Sequence, residues 1–175
     1  MISSGLLSEE RIVKLVGDYM RANYYLTEEE LVINSTVLDM QQIAGQELLR
    51  IDLAGVSMLD GGIIFIEAET EAFLDHPMIY KPVADYVFLA CPLAKLEEKN
   101  SDPRFLEDLY RSAAEHGVGI LGVHEVQHEG QLPFHVKVNA PVLPLRPAIR
   151  RAVLKSFEKR GHLSVAKYGA WWGLQ

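Results

Sequence analysis

The sequence predicts an α/β domain built on a central mixed sheet flanked by helices, and three observations carry that expectation. Helical and strand-like patterns alternate along the chain, the order expected when helices cover the faces of a sheet. Tyr86-Val87-Phe88-Leu89-Ala90-Cys91 is short and wholly apolar, as a strand is when both its faces are covered in mid-sheet. Asp60-Gly61 separates two strand-like runs, 48–57 and 62–69, and marks a two-residue hairpin turn.

Taken in order, Ser8 is an N-cap, with Glu9 and Glu10 in the favourable first turn. Ile12, Leu15, Val16, Tyr19 and Met20 recur at helical spacing, so 9–21 is an amphipathic helix. Thr27-Glu28-Glu29-Glu30 matches a capping box, with Leu26 and Leu31 as its hydrophobic staple. The residues that follow, Leu31 to Leu38, are rich in β-branched side chains and favour a strand over 31–38. Residues 39–46 connect it to the hairpin. Pro77 and Pro82 forbid one long helix after Glu69, and Pro77 suits the first turn of a short one capped by Asp75. Ser101-Asp102-Pro103 opens a helix along which Leu106, Leu109, Tyr110 and Ala113 share a face and which Gly117 ends. Val118–Val126 returns as a strand, and Leu132–Val138 pairs with it. Pro147 starts a helix that stops at Gly161, with Ile149, Val153 and Phe157 inward and Arg150, Arg151, Lys155 and Lys159 outward. The tail 163–172 is a mixed strand or loop.

At 175 residues the chain suits a single domain, 1–175, with a substantial core. Its 49% hydrophobic and 23% charged residues place it among soluble globular proteins. A lone Cys91 excludes a disulfide framework and fits a reducing compartment. No apolar run reaches the roughly 18–20 residues of a membrane span, and no basic-then-apolar secretion signal opens the chain, so the expected location is the cytoplasm. The net charge of −7 is unevenly spread. Residues 131–175 carry eight Lys or Arg against Glu158 alone, while the first 130 carry 9 basic and 23 acidic residues. Such a basic extension is either a phosphate-facing surface or a segment packed beside an acidic body.

The hairpin holds the chemistry. With Asp60-Gly61 as the turn, Asp52 falls opposite Glu69, and Glu67 lies one diagonal step away. Ile63, Phe65, Glu67 and Glu69 share one face by alternation. Opposed Cβ atoms lie roughly 4.5–5.5 Å apart and diagonal ones about 7–8 Å, so three carboxylates converge on one patch. Their mutual repulsion and burial are costly, and a divalent cation with hard oxygen ligands relieves that cost. The competing reading is a solvated acidic face on an edge hairpin, against which the apolar residues on both faces weigh.

An Asp in one strand, a Glu-x-Glu pair ending the next, a helix and then a short apolar strand resemble the PD-(D/E)xK nuclease superfamily, with its restriction-endonuclease-like fold. Ile66-Glu67-Ala68-Glu69-Thr70 looks like that family's Ile-Glu-Ala-Lys-Thr strand end. Phe73-Leu74-Asp75 and Ala84-Asp85-Tyr86-Val87-Phe88-Leu89-Ala90-Cys91-Pro92 look like a subgroup of small proteins, some linked to DNA repair. The resemblance covers residues 9–126, with 131–175 as a basic extension. It implies that Asp52 and Glu67 are metal-binding acids and that the chain hydrolyses DNA phosphodiesters with Mg²⁺ or Mn²⁺. Glu69 occupies the position of the family's Lys, which orients or activates the attacking water. Some active restriction enzymes of this fold carry Glu there, and Glu69 then serves as a third ligand or general base. Lys81, on the next helix, is a candidate for a migrated cation. Phosphate contacts fall to Arg150, Arg151 and Lys155, and an enzyme of this kind that cuts both strands often needs two active sites and so a homodimer. The alternative is a catalytically degenerate nucleic-acid-binding or protein-assembly module on the same fold.

His124-Glu125-Val126-Gln127-His128 spells the H-E-x-x-H of zinc metalloproteases. That chemistry requires a helix, and the glycine-punctuated run before it is strand-like. Four residues along a strand span about 13 Å, too far for His124 and His128 to share a zinc ion. His76, His116, His135 and His162 are scattered and read as ordinary core or surface histidines. Trp171-Trp172 pins the C-terminus, or stacks on bases. Cys91 reads as an inert buried thiol.

Overall fold

The computed structural model describes residues 7–34 and 48–161. They form helix α1 (Glu9–Ala22), strands β1 (Tyr25–Asn34), β2 (Leu48–Ser57) and β3 (Ile63–Ala68), helix α2 (Asp75–Ile79), strand β4 (Tyr86–Pro92), helix α3 (Pro103–His116), strands β5 (Gly119–Val123) and β6 (Phe134–Val138), and helix α4 (Pro147–Lys159). Single 3-10 turns over Lys81–Val83 and Leu93–Leu96 flank β4. The strands make one six-stranded mixed sheet in sequential order. β1, β2 and β3 are antiparallel, β3, β4 and β5 parallel, and β6 antiparallel again. This is the α/β class that the alternating pattern predicts. The tail beyond 161, with His162, Trp171 and Trp172, and the expected continuation of the first strand to 38 lie outside the described residues.

Each face of the sheet has its own apolar layer. Ile12, Val16 and Met20 of α1 pack on Leu53, Ile64, Ile66, Ala68 and Ala90. On the opposite face, residues of α3 and α4, Leu109, Val153 and Phe157 among them, pack on Phe65, Val87 and Leu89. β4 is sandwiched between them, which is why its sequence shows no alternation. The caps of α1 and α3 are those the sequence signals, whereas Asp75 is the first residue of α2 and not its cap, a place held by Leu74 without a side-chain hydrogen bond. Ser8 accepts from the Arg11 amide, Asp102 accepts from the Arg104 amide, and Gly117 ends α3 at φ 69°, where a side chain would be strained.

β1 begins at Tyr25 and takes Thr27–Glu30 into the sheet. The capping signal there loses to nine cross-strand partners on β2, because a ladder satisfies every second amide and a cap only one or two. Glu30 has φ 57°, and the hairpin turns over at its level. Before it, Thr27 and Glu29 face α1, where both meet Arg21. After it, Leu31 and Ile33 face the other layer. β2 does the same, with Leu53 under α1 and Ile51 in the opposite layer. A non-glycine residue in this region costs about 1–2 kcal/mol, a cost offset by the four apolar side chains Leu31, Ile33, Leu49 and Ile51 thereby turned inward.

Two further expectations are corrected. The hairpin loop has four residues, not two. Ser57 and Gly62 close it, the Ser57 amide donating to the Gly62 carbonyl at 2.9 Å. The Asp60 carboxylate accepts the Gly62 amide at 2.8 Å, and Ser57 Oγ accepts the Leu59 amide at 3.2 Å. Those side chains satisfy amides that a longer loop would otherwise leave bare. The pairs are therefore Val56 with Ile63 through Leu53 with Ile66. Continued one step, this register brings Asp52 level with Glu67 rather than Glu69. The slip is two residues, so every side chain keeps its face.

Arg150 is the second correction, since it points inward rather than to solvent. Its guanidinium reaches Asp85 at 2.7 Å and the Gly61 carbonyl at 3.3 Å. Asp85, with 4% of its side chain exposed, also accepts the amides of Ile63 at 2.8 Å and Leu145 at 3.0 Å. A buried carboxylate needs such partners, and it draws α4 against the start of β3. Just past the end of α4, Arg160 meets the buried Glu28 of β1. Asp85→Ala leaves the guanidinium and two amides without their acceptor. It is expected to lower the unfolding free energy by about 3–5 kcal/mol in urea titrations, and a loss below about 1 kcal/mol would show that the pair is dispensable.

Candidate metal centre

The centre lies where β2 and β3 part. Their pairing ends at Leu53 and Ile66, which would strand the Ala68 amide on the β2 side. Asp52 Oδ2 takes that amide at 3.0 Å. Glu67, between them on β3, is held on its other side by the parallel register with Leu89 of β4, and is only 8% exposed. The chain then turns into α2, anchored by the buried Leu74 and Pro77. From its first turn His76 Nδ1 reaches Glu69 Oε1 at 2.8 Å and Glu67 Oε1 at 3.5 Å. Tyr80, after α2, stacks edge-on against Phe65 and donates its hydroxyl to the Arg50 carbonyl at 2.9 Å.

Burial dominates the electrostatics. Glu67 Oε2 is fully buried and has no hydrogen-bond partner. Desolvation first, and the charge on Asp52 second, push the Glu67 pKa up to about 8, against the lesser pull of Tyr80 and His76. The Tyr80 hydroxyl is pushed up by burial and by the Glu67 charge. His76 is raised through its hydrogen bond to Glu69. Glu9, on the first turn of α1, is raised by desolvation and then by Glu69 and Asp52, which ties that helix end to the same acidic pool. A cleft of about 970 Å³ opens beside Asp52 and Glu67. It is lined also by Glu9, Glu10, Glu29 and Glu30, with Lys14 and Arg50 as its cations. Both are already paired, Lys14 with Asp18 at 3.0 Å and Arg50 with Glu30 at 2.7 Å.

Of the residues singled out from sequence, the structure brings Glu67 and Glu69 together with His76, their ligand atoms all within 4.8 Å of one another. Asp52 stands across the fork, coupled to Glu67 by charge. Sequence reasoning missed His76. Its signal was faint: a histidine at the start of the first helix after an acidic strand end. Lys81 is not at the centre's disposal, because its ammonium donates to the Gly117 carbonyl at 2.7 Å. That carbonyl, at the end of α3, is unsatisfied by the helix itself and attracts a cation. Arg150 is likewise committed to Asp85, while Arg151 and Lys155 are exposed on α4.

His124–His128 is not helical. The Glu125 carboxylate accepts the Ala94 amide at 2.9 Å, and the His124 ring meets His135 at 4.7 Å between centroids. Among the described residues, neither His124 nor His128 joins a three-ligand group. Cys91 is buried, with its thiol pushed up to about 12 by desolvation, so it stays protonated and unreactive. No helix among the described residues is long and apolar enough to cross a membrane.

No family model and no curated protein matches the chain. A solved structure, of a protein of unknown function from Silicibacter pomeroyi, resembles it with a TM-score of 0.57. The match covers 89% of this chain and 87% of that one at 19% identity. It shows a shared fold. Fold and site together define an α/β domain with a buried acidic centre at a strand fork.

The Glu67 carboxyl sets a pH dependence. It holds its proton to about pH 8 in the folded chain and loses it near 4.5, its ordinary value, when unfolded. Between those limits the folded state binds more protons, so stability falls as pH rises. Glu67→Gln removes that slope. At pH 8 the variant is expected to exceed wild type by a few kcal/mol, at about 1.4 kcal/mol per unit, with little difference at pH 4.5. Urea titrations across this range with matching slopes for the two proteins would refute the buried carboxyl.

Proposed function

We propose that the chain is a divalent-metal-dependent nuclease of the PD-(D/E)xK kind, acting on DNA phosphodiesters. The observation that carries this reading is the buried, unpartnered Glu67 Oε2 beside two further carboxylates, Asp52 and Glu69. A buried acceptor without a donor costs about 1–3 kcal/mol, and a cation is the partner this donor set fits. Asp52, Glu67 and Glu69 would hold Mg²⁺ or Mn²⁺ through oxygen, the donor both ions favour. When bound, such an ion lowers the pKa of a water and offsets charge on the phosphate.

The chain's own residues supply the rest. Glu67, desolvated and pressed by Asp52, gains most from a cation and so fixes its place. Glu69, in the position of the family's Lys, is less buried and takes the proton of the attacking water, or serves as a ligand. Asp52 keeps the fork open by holding the Ala68 amide. Arg151 and Lys155, exposed on α4, are the remaining phosphate contacts, and their contribution weakens with salt.

A second reading is favoured by the charge of the cleft. Six acids and two already-paired cations line it, a wall that repels a polyanion. On this reading the chain is a binding or assembly module that kept the acidic centre without the chemistry. A cleavage assay on supercoiled, linear and single-stranded DNA with Mg²⁺ or Mn²⁺ separates the two. Wild type is expected to cut, and Glu67→Ala to lose at least about 100-fold, of the order that metal-centred charge stabilisation supplies. Silence of both proteins leaves the binding module, and equal cutting by both removes Glu67 from the reaction.

A further inference from the structure

A surface ion pair would account for His76 and Glu69, which lie 2.8 Å apart. It does not account for Glu67, whose side chain is nine-tenths buried and directs one oxygen to within 3.5 Å of the same imidazole nitrogen while the other has no partner. The three residues come from β3, the turn after it and α2, so it is the fold that brings His76 to the two neighbouring acids in a cluster within 4.8 Å. Ligand atoms around a tetrahedral ion at 2.0–2.2 Å stand about 3.4 Å from one another. The two measured separations, 2.8 and 3.5 Å, bracket that value.

We infer that His76 is a ligand of the ion this centre takes, and that the centre selects a zinc-class cation over Mg²⁺. The inference rests on the reading of Glu67 and Glu69 as metal-holding carboxylates, and departs from the all-oxygen set that Mg²⁺ prefers. Mg²⁺ demands near-octahedral oxygen and keeps several waters, whereas imidazole suits zinc and its neighbours in the first transition row. One nitrogen and two carboxylates leave a fourth position open, the pattern of hydrolytic zinc centres. The His76 side chain is 62% exposed, so the cluster is open to solvent on that side. Nδ1 is the atom turned to the acids. The buried Leu74 and Pro77 anchor the turn of backbone that carries His76.

The test is calorimetric titration of the full chain with ZnCl₂ and with MgCl₂, for wild type, His76→Ala and His135→Ala. The last variant covers the His124–His135 pair, where two imidazoles meet. One zinc per wild-type chain is expected, with at least about tenfold weaker binding in His76→Ala, a change under about threefold in weak Mg²⁺ binding, and no effect of His135→Ala. In wild type, a zinc-induced shift of the His76 Nδ1 resonance needs no variant at all. Zinc affinity unmoved by His76→Ala, or lost in His135→Ala instead, overturns the inference. Mg²⁺ bound by wild type at least as tightly as zinc overturns it too, yet leaves the nuclease reading standing. Zinc held through His76 by a chain that cuts no DNA does the reverse. Absence of binding by either ion removes both.

Discussion

Asp85 is the contact on which the arrangement turns. One buried carboxylate takes the first amide of β3, an amide of the Pro-rich connection and the guanidinium of Arg150, while its own carbonyl takes the Leu143 amide at 3.0 Å. It thereby fixes where β3 begins beside β4, how the connection returns, and how α4 lies on the sheet. The far end of β3 carries Glu67, whose depth follows from that placement. A charge buried at the near end of the strand thus secures the burial of another at its far end.

The two are resolved differently. Asp85 has three donors and behaves as a structural anion. Glu67 has an oxygen with none, a charged Asp52 beside it and Glu69 two residues on. Folding tolerates such a group only by keeping its proton or by supplying a cation. The strand fork gives this carboxyl its room, since parting β2 from β3 ends the ladder that would otherwise fill the space.

Much of this was legible. β4, α1 and α3 each follow from a pattern local to one element: an unbroken apolar run, an amphipathic period, or a capping residue with Gly117 at the end. The acidic strand end was legible as well, because burial and like charge conflict within a few residues of sequence. What escaped reading depends on partners distant in the chain. The loop length hung on the Ser57 hydroxyl and the Asp60 carboxylate. Arg150 sits beside the apolar stripe of α4 and could have faced either way, until Asp85, 65 residues earlier, drew it in. His76 reaches the acids only because a six-residue turn and a short helix bend back toward the sheet, and no periodicity encodes that path.

The half-turn of the hairpin at Glu30 and Asp52 has a mechanical meaning. The same two strands are stitched into one apolar layer at one end and into both layers at the other. Neither layer can then be peeled from the sheet while its counterpart stays intact, because the thread that holds one holds its neighbour. Such a seam favours loss of structure as an all-or-none event, and it places the acidic centre at the stitch itself.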